Sequence, residues 1–426
     1  MWSSLKKPYS LIAVLGLLCP FFGSAQDSLR ISLPEAEARF LKSNLTVLTA
    51  KYDIPIASAL VMQAKLYPNP NLQVTGGLYN PDLKKFPDVS NQTGQYTFDV
   101  QQLIILAGKR AKQVKMATLN MDMAQNRFYD LLRNLKYALH SDFYQIYTGL
   151  EAIKAYDAQI ATLQSLVEQY KALEQKGVVT GKDRIRIQSL LYGLQSSRQQ
   201  VQQDITDAQS DLQLLLHGNG TFFVPVPELD KWKAISVSSL PLQSLVDSAY
   251  NNRFDLKLAQ TNVRYSEQNL ALQKAMAVPD LTLGAQFDKR GSYVNNANFL
   301  TLAIDLPFFN RNQGNIKAAK LGVEQDKMRA DIQKESVEND VMKAYAQALN
   351  AEKTLQQIDG SYLANYQEIT AKMLENFQKK NISLLELTDF LDSYKESILQ
   401  MNQLTTNRFL AVETLSYAVG TPLFNL

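Results

Sequence analysis

The segment Leu281-Thr282-Leu283-Gly284-Ala285-Gln286-Phe287-Asp288 alternates apolar with polar or small residues, the period-2 pattern of a strand with one oily face and one wet face. After a Gly/Asn-rich loop the alternation resumes, with Leu300, Leu302, Ile304 and Leu306 opposing Thr301, Ala303 and Asp305. A looser copy lies upstream. There Leu72, Val74 and Leu78 oppose Gln73, Thr75 and Tyr79, while Tyr96, Phe98 and Val100 oppose Thr97, Asp99 and Gln101, with a polar loop from Asn80 to Gly94 between them. Each strand is predicted at about nine to eleven residues, the length that crosses a bilayer at a tilt.

The strand pairs belong to a longer duplication. Leu33-Pro34-Glu35, Pro70-Asn71-Leu72, Gly108, Gly177 and Gly218 are matched by Leu240-Pro241-Leu242, Pro279-Asp280-Leu281, Gly314, Asn381 and Gly420. Every match is displaced by roughly two hundred residues, far beyond the period of a solenoid. Two repeats follow, 26–230 and 231–426, after a leader at 1–25. Between them His217 to Leu240 reads as a connector, with Gly218, Gly220, Pro225 and Pro227 and a short strand at Phe222 to Val224.

Helical patterns flank the strands. The first runs from Leu33 to about Leu66 and should kink at Pro55, which has no backbone N–H to donate. After each strand pair comes a stretch long enough to reach on the order of 100 Å as one helix, about Lys109 to Lys176 and about Gly314 to Lys380. Each turns at a short tip, Gly177 to Gly181 or Asn381 to Ser383, and runs back. The first return carries Ile187, Leu191, Leu194, Val201, Ile205, Ala208, Leu212 and Leu215 at coiled-coil spacing, and the second Leu384, Leu387, Leu391, Tyr394, Ile398, Met401, Val412, Leu415 and Val419. Their opposite faces are polar, suited to a solvated surface or to the wall of a water-filled duct.

Lys6 and Lys7, the apolar run Leu11 to Phe22 and the small residues Gly23-Ser24-Ala25 have the order of a secretory leader, so the mature chain is expected to start near Gln26. Loss of the two lysines takes a net charge of +3 close to neutrality, which leaves no electrostatic case for nucleic acid. Cys19, the only cysteine, lies inside the leader. Leu18 before it departs from the small residue of a lipidation signal, so no disulfide or thiolate metal site is expected in the mature protein. Beyond the leader no stretch reads as apolar enough for a spanning helix, and strands must carry any membrane segment.

Strands span lipid only as a closed barrel, because an unpaired backbone amide there costs several kcal/mol. Four strands cannot close. Three copies give twelve, and their helical arms continue the barrel outside the membrane. The expected class is therefore mostly α with a small β part: long antiparallel helical hairpins in a trimeric α-barrel, continuous with a 12-stranded transmembrane β-barrel of four strands per protomer.

The duplicated plan, the Pro-Asn-Leu strand start and above all Asp305-Leu306-Pro307-Phe308-Phe309-Asn310-Arg311-Asn312-Gln313-Gly314 resemble the TolC-like outer membrane factors. That last segment looks most like the branch serving heavy-metal cation efflux; its first-half counterpart, Gln102 to Lys109, matches less well. The resemblance implies a passive homotrimeric duct set in outer-membrane lipid with a long periplasmic extension. It would receive small molecules or metal cations from an inner-membrane pump of the resistance-nodulation-division type through a periplasmic adaptor. It also implies a periplasmic gate ringed by acidic residues, by position Glu386 and Asp389, and adaptor contacts at the hairpin tips, Gly177, Val178 and Val179 with Asn381, Ile382 and Ser383.

An enzyme finds little support. His140 and His217 are the only histidines, far apart and without metal spacing, and Gly218-Asn219-Gly220 is a turn rather than a phosphate cradle. His140 reads as a polar helix-face residue. Neither a cofactor nor a metal site is expected. The competing reading is an exported periplasmic coiled-coil scaffold or adaptor without a membrane barrel, which leaves the duplicated strand pairs unexplained.

Overall fold

The computed structural model describes residues 28–90, 92–291, 294–358 and 362–424; the expected leader, its cleavage site and Cys19 lie outside them. In chain order the elements are β1 (Ser28–Ile31), α1 (Leu33–Ser43), α2 (Leu45–Lys51), α3 (Asp53–Ala64), β2 (Asn71–Gly76), β3 (Tyr96–Ile104), α4 (Lys109–Gln175) and α5 (Gly181–Leu216). There follow β4 (Phe222–Pro225), α6 (Leu229–Lys233), α7 (Leu242–Asn252), α8 (Phe254–Met276), β5 (Leu281–Arg290), β6 (Asn295–Ile304), α9 (Gln313–Gln356), α10 (Tyr362–Gln378) and α11 (Leu384–Val419).

Helix α4 runs unbroken for 67 residues, about 100 Å at the usual rise. No proline interrupts it, and its single glycine serves packing. A Cβ on Gly149 would lie 2.7 Å from Ile205 Cγ1, so the missing side chain lets α5 come close. All eight residues expected along the α5 seam are buried, and the second return, α11, buries Leu387, Leu391, Tyr394, Ile398, Val412, Leu415 and Val419. One apolar core runs between the hairpins. At mid-length Tyr144 stacks on Phe409 at 4.7 Å, and Trp232 from the connector meets both edge-on.

The strand pairs unite in one antiparallel sheet of order β2-β3-β5-β6. Its register sorts side chains into rows. Val74, Phe98 and Phe287 stand in one cross-strand row, and Leu72, Val100, Ala285 and Leu300 in the next on that face. On the other face Gln73, Asp99 and Gln286 are aligned, as are Thr75, Thr97 and Asp288. The oily rows are bare, with Leu300 85% and Leu302 66% exposed.

Several expectations need correction. Strand β2 has six residues, shorter than predicted, and Leu78 and Tyr79 lie beyond it. Its outer edge has no strand neighbour among the described residues, so nothing there extends the ladder. The first helical stretch is three helices. Asn44 ends α1 and caps α2 by accepting from the Val47 N–H, while Pro55 leaves the Lys51 carbonyl without its helical donor and the helix lapses at Tyr52. The second long helix is also divided. Helix α9 tightens at its end into shorter-range bonds, Gln357 N–H to Thr354 O and Ile358 N–H to Leu355 O, before the poor helix formers Asp359, Gly360 and Ser361, which lie outside the described residues.

The search for apolar stretches also missed one. Residues Leu45–Ala64, with mean hydropathy 1.3, are long and apolar enough to span a membrane by length and composition, although the break at Tyr52 divides them. The connector strand at Phe222 is real. It pairs in parallel with β1, an element the sequence reading missed because four residues are too few to show a period.

Candidate gate at the hairpin tips

Both hairpins turn by the same device. After α4, Val178 N–H donates to Leu173 O and Gly177 N–H to Glu174 O, with Gly177 at φ +70°, a Schellman ending. After α10, Asn381 N–H donates to Asn376 O and Lys380 N–H to Phe377 O, with Lys380 at φ +60°. The counterpart of Gly177 is therefore Lys380 rather than Asn381. Two other expected matches shift likewise. The left-handed residue closing α5 is His217, not Gly218, and the left-handed cap that opens α9 is Asn312, not Gly314.

Each return helix starts with a capping box. Thr180 Oγ1 accepts from Asp183 N–H, and the Asp183 carboxylate accepts from the Thr180 hydroxyl at 2.7 Å. In the second hairpin the Ser383 N–H and hydroxyl both donate to Glu386 Oε2, at 2.7 and 2.8 Å. These bonds hold the exposed Glu386 carboxyl below its ordinary pKa. Glu386 thus has a structural task at the helix start.

Asp389 is placed differently. Its carboxylate lies 3.6 Å from Arg186 of α5, and both groups are well exposed. Below them Tyr170 of α4 stacks on Phe377 of α10 at 5.8 Å, so the two tips stand side by side. Val178 is 59% exposed. Val179 is half-buried, Asn381 and Ser383 are exposed, and Ile382 rests against the core. Arg186 was missed by sequence reasoning, although aligning Thr180-x-x-Asp183 with Ser383-x-x-Glu386 would have set it opposite Asp389.

A second polar cluster lies away from the tips. His140 of α4 sits between Glu37 of α1 and Glu413 of α11, with ring nitrogens 2.7 Å from a carboxylate oxygen of each. Burial alone would lower its pKa, but the two carboxylates carry it up to about 9, so it is an imidazolium donating to both. Lys136 also binds Glu37, at 2.8 Å. Burial pushes Glu37 up, and His140 and Lys136 outweigh it to hold the group at about 2. His140, the expected polar residue on the helix face, is thus a partly buried clamp joining three helices. Among the described residues no group of three or more His, Cys, Asp or Glu is arranged to hold a metal ion.

Residues 245–421 match the family model described as outer membrane efflux protein. The chain is 22% identical over 285 residues to the cobalt-zinc-cadmium resistance protein CzcC of Cupriavidus metallidurans, an alignment covering 65% of this chain and 63% of that relative. It therefore spans less than two thirds of the curated relative it matches. Among solved structures it is similar to a membrane protein from Pseudomonas aeruginosa (TM-score 0.75, 14% identity, 91% of this chain and 92% of the other). It is likewise similar to the Campylobacter jejuni CmeC outer membrane channel (0.74, 12%, 92% and 86%) and to CusC (0.72, 16%, 91% and 92%).

Proposed function

We propose that the chain is an outer membrane efflux protein, the outer-membrane exit duct of a tripartite efflux system, a reading supported by the match of residues 245–421 to that family's model. It does no chemistry and conducts cargo delivered by an inner-membrane pump, of the resistance-nodulation-division type, through a periplasmic adaptor. The observation that carries the reading is the sheet. One face is an exposed oily surface, both edges are open among the described residues, and the strands lead straight into the helical hairpins. In lipid such edges must be paired, and three copies supply a 12-stranded barrel whose hairpins line a periplasmic tunnel. Two efflux repeats, 26–230 and 231–426, build each protomer after removal of the leader.

The name of the Cupriavidus relative supports divalent metal cations as cargo. The gate is assigned to the hairpin tips, where Asp389 and Glu386 would ring the axis in three copies and favour cations. Arg186 offsets part of that charge in the closed form. Gly177, Val178 and Val179 with Asn381, Ile382 and Ser383 are the surface offered to the adaptor. The test is extraction followed by bilayer recording. The duct should require detergent, run as a trimer and conduct; a monomer released with the soluble periplasmic fraction would identify a scaffold instead.

A further inference from the structure

We propose that the rim of the sheet from which the long helices depart carries a basic collar that binds anionic phospholipid headgroups. The inference rests on the reading of the chain as an outer-membrane duct and names the lipid class held at its periplasmic rim. The apolar alternation of β6 runs on through Ile304 and Leu306 to Phe308 and Phe309, which are 68% and 95% exposed. Two residues later the chain turns basic at Arg311, and Lys317 and Lys320 follow in the opening turns of α9. Helix α4 begins in the same way, with Arg110, Lys112 and Lys115. There the Arg110 guanidinium lies over the exposed ring of Tyr67, 3.7 Å from its centre. Exposed aromatic rings mark the depth at which hydrocarbon gives way to headgroups, so both basic runs start at headgroup level.

The helices themselves do not account for these cations. The N-terminal end of a helix is its positive pole and favours acids, yet α4 has no acid before Asp122 and α9 none before Glu324. Nor does the chain neutralise them. Lys109, the first residue of α4, is buried against Asp280 at 2.7 Å, but among the described residues none of the other six makes an ion pair. Farther along α9 the pattern reverses, with Lys327 paired to Glu324 and Arg329 to Asp326. The opposite rim of the sheet is also mixed in sign: Lys84, Lys85, Lys289 and Arg290 stand among Asp82, Asp88 and Asp288. Unpaired positive charge is therefore concentrated at one rim, where Lys115, Arg311, Lys317 and Lys320 are exposed. Headgroups of net negative charge complement it, whereas a zwitterionic headgroup brings its own cation and leaves the excess uncompensated.

The test uses the full-length protein as a trimer in nanodiscs. Replacing part of the phosphatidylcholine with phosphatidylglycerol should raise the temperature at which the trimer dissociates by several degrees at low salt, and high salt should remove most of the gain. Arg311→Gln with Lys317→Gln and Lys320→Gln should lose the gain while matching wild type in pure phosphatidylcholine, which separates lost binding from misfolding. Should that variant fail to assemble, Lys317→Gln with Lys320→Gln, both at exposed positions, should still lose part of the gain. Lys84→Gln with Lys85→Gln, at the other rim, should keep all of it. A wild type indifferent to lipid charge, collar variants that keep the whole gain, or equal protection by inorganic phosphate in pure phosphatidylcholine would overturn the collar and leave the duct reading intact. A wild type that stays a soluble monomer without detergent or lipid would overturn both.

Discussion

Arg186 on α5 and Asp389 on α11 face each other at 3.6 Å, each following its own capping residue, Thr180 or Ser383, by the same interval. Equivalent steps of the two hairpins thus carry opposite charges, and each neutralises the other across the tips. Exposed pairs of this kind are worth about 0.2–1 kcal/mol and are screened by salt. A weak, accessible latch suits the gate proposed for the tips. Asp389→Asn should raise single-channel conductance in planar bilayers, and the difference from wild type should shrink at high salt. Unchanged conductance at low salt would remove the latch assignment.

Glu386 should behave differently although it stands one helical turn away. Its carboxylate completes the Ser383 capping box, so Glu386→Ala is expected to loosen the first turn of α11. Proteolysis at the second tip should quicken as α11 frays. A variant that altered ion selectivity with no change in protease sensitivity would return Glu386 to a purely electrostatic role.

The His140 clamp sets a pH window for the region where α1, α4 and α11 meet. The folded pKa of about 9 lies above the ordinary 6.5, so its contribution is complete below about pH 6.5 and fades as pH rises through 9. Glu37, held at about 2 rather than 4.5, contributes fully above about pH 4.5 and loses that contribution as pH falls through 2. Lys136 on α4 also pairs with Glu37, at 2.8 Å, and the alkaline limb follows the raised pKa of His140. Thermal unfolding of wild type should weaken between pH 6.5 and 9. His140→Gln should flatten that limb and, by leaving Glu413 without its charged partner, cost about 3–5 kcal/mol at pH 6.

Much of this architecture was legible because periodic patterns report directly on burial. The α5 seam needed only the spacing of Ile187 through Leu215, and the strand faces only alternation from Leu281 to Phe287. What escaped has one physical cause. Residues whose role depends on a partner distant in sequence carry no local signal: Arg186 needs Asp389, His140 needs Glu37 and Glu413, and β1 needs β4. Glycine also misled. The sequence matches Gly218 to Gly420 and Gly314 to Gly108, whereas the left-handed positions fall on His217 and Asn312, since hydrogen bonding at a helix end can hold such a residue against a modest steric cost.

Gly149 tests how tightly the first hairpin is packed. A methyl group there would sit 2.7 Å from Ile205 Cγ1 and 3.1 Å from its Cδ1, inside a fully buried part of the α4–α5 seam. Gly149→Ala has better intrinsic helix propensity by about 1 kcal/mol, yet overpacking of about 1–3 kcal/mol should outweigh it. Ile205→Val removes the Cδ1 contact and should recover part of the loss when combined with Gly149→Ala. Chemical denaturation of the four proteins of this cycle gives the coupling, and simple additivity would mean that α5 can retreat from α4 at no cost.

Lys380 offers a stabilising change at the second tip. It holds φ +60° where the first hairpin has Gly177, and a side chain in that conformation costs about 1 kcal/mol. Its ammonium makes no ion pair among those present in the described residues, so little is lost with the side chain. Lys380→Gly should therefore stabilise the α10–α11 hairpin by about 0.5–1 kcal/mol, less the entropy glycine adds to the unfolded chain. Hydrogen exchange at the Lys380 and Asn381 amides, which close the turn onto Phe377 and Asn376, should slow by several-fold. Faster exchange would mean that the lysine stem packs at the tip and that the strain is already offset.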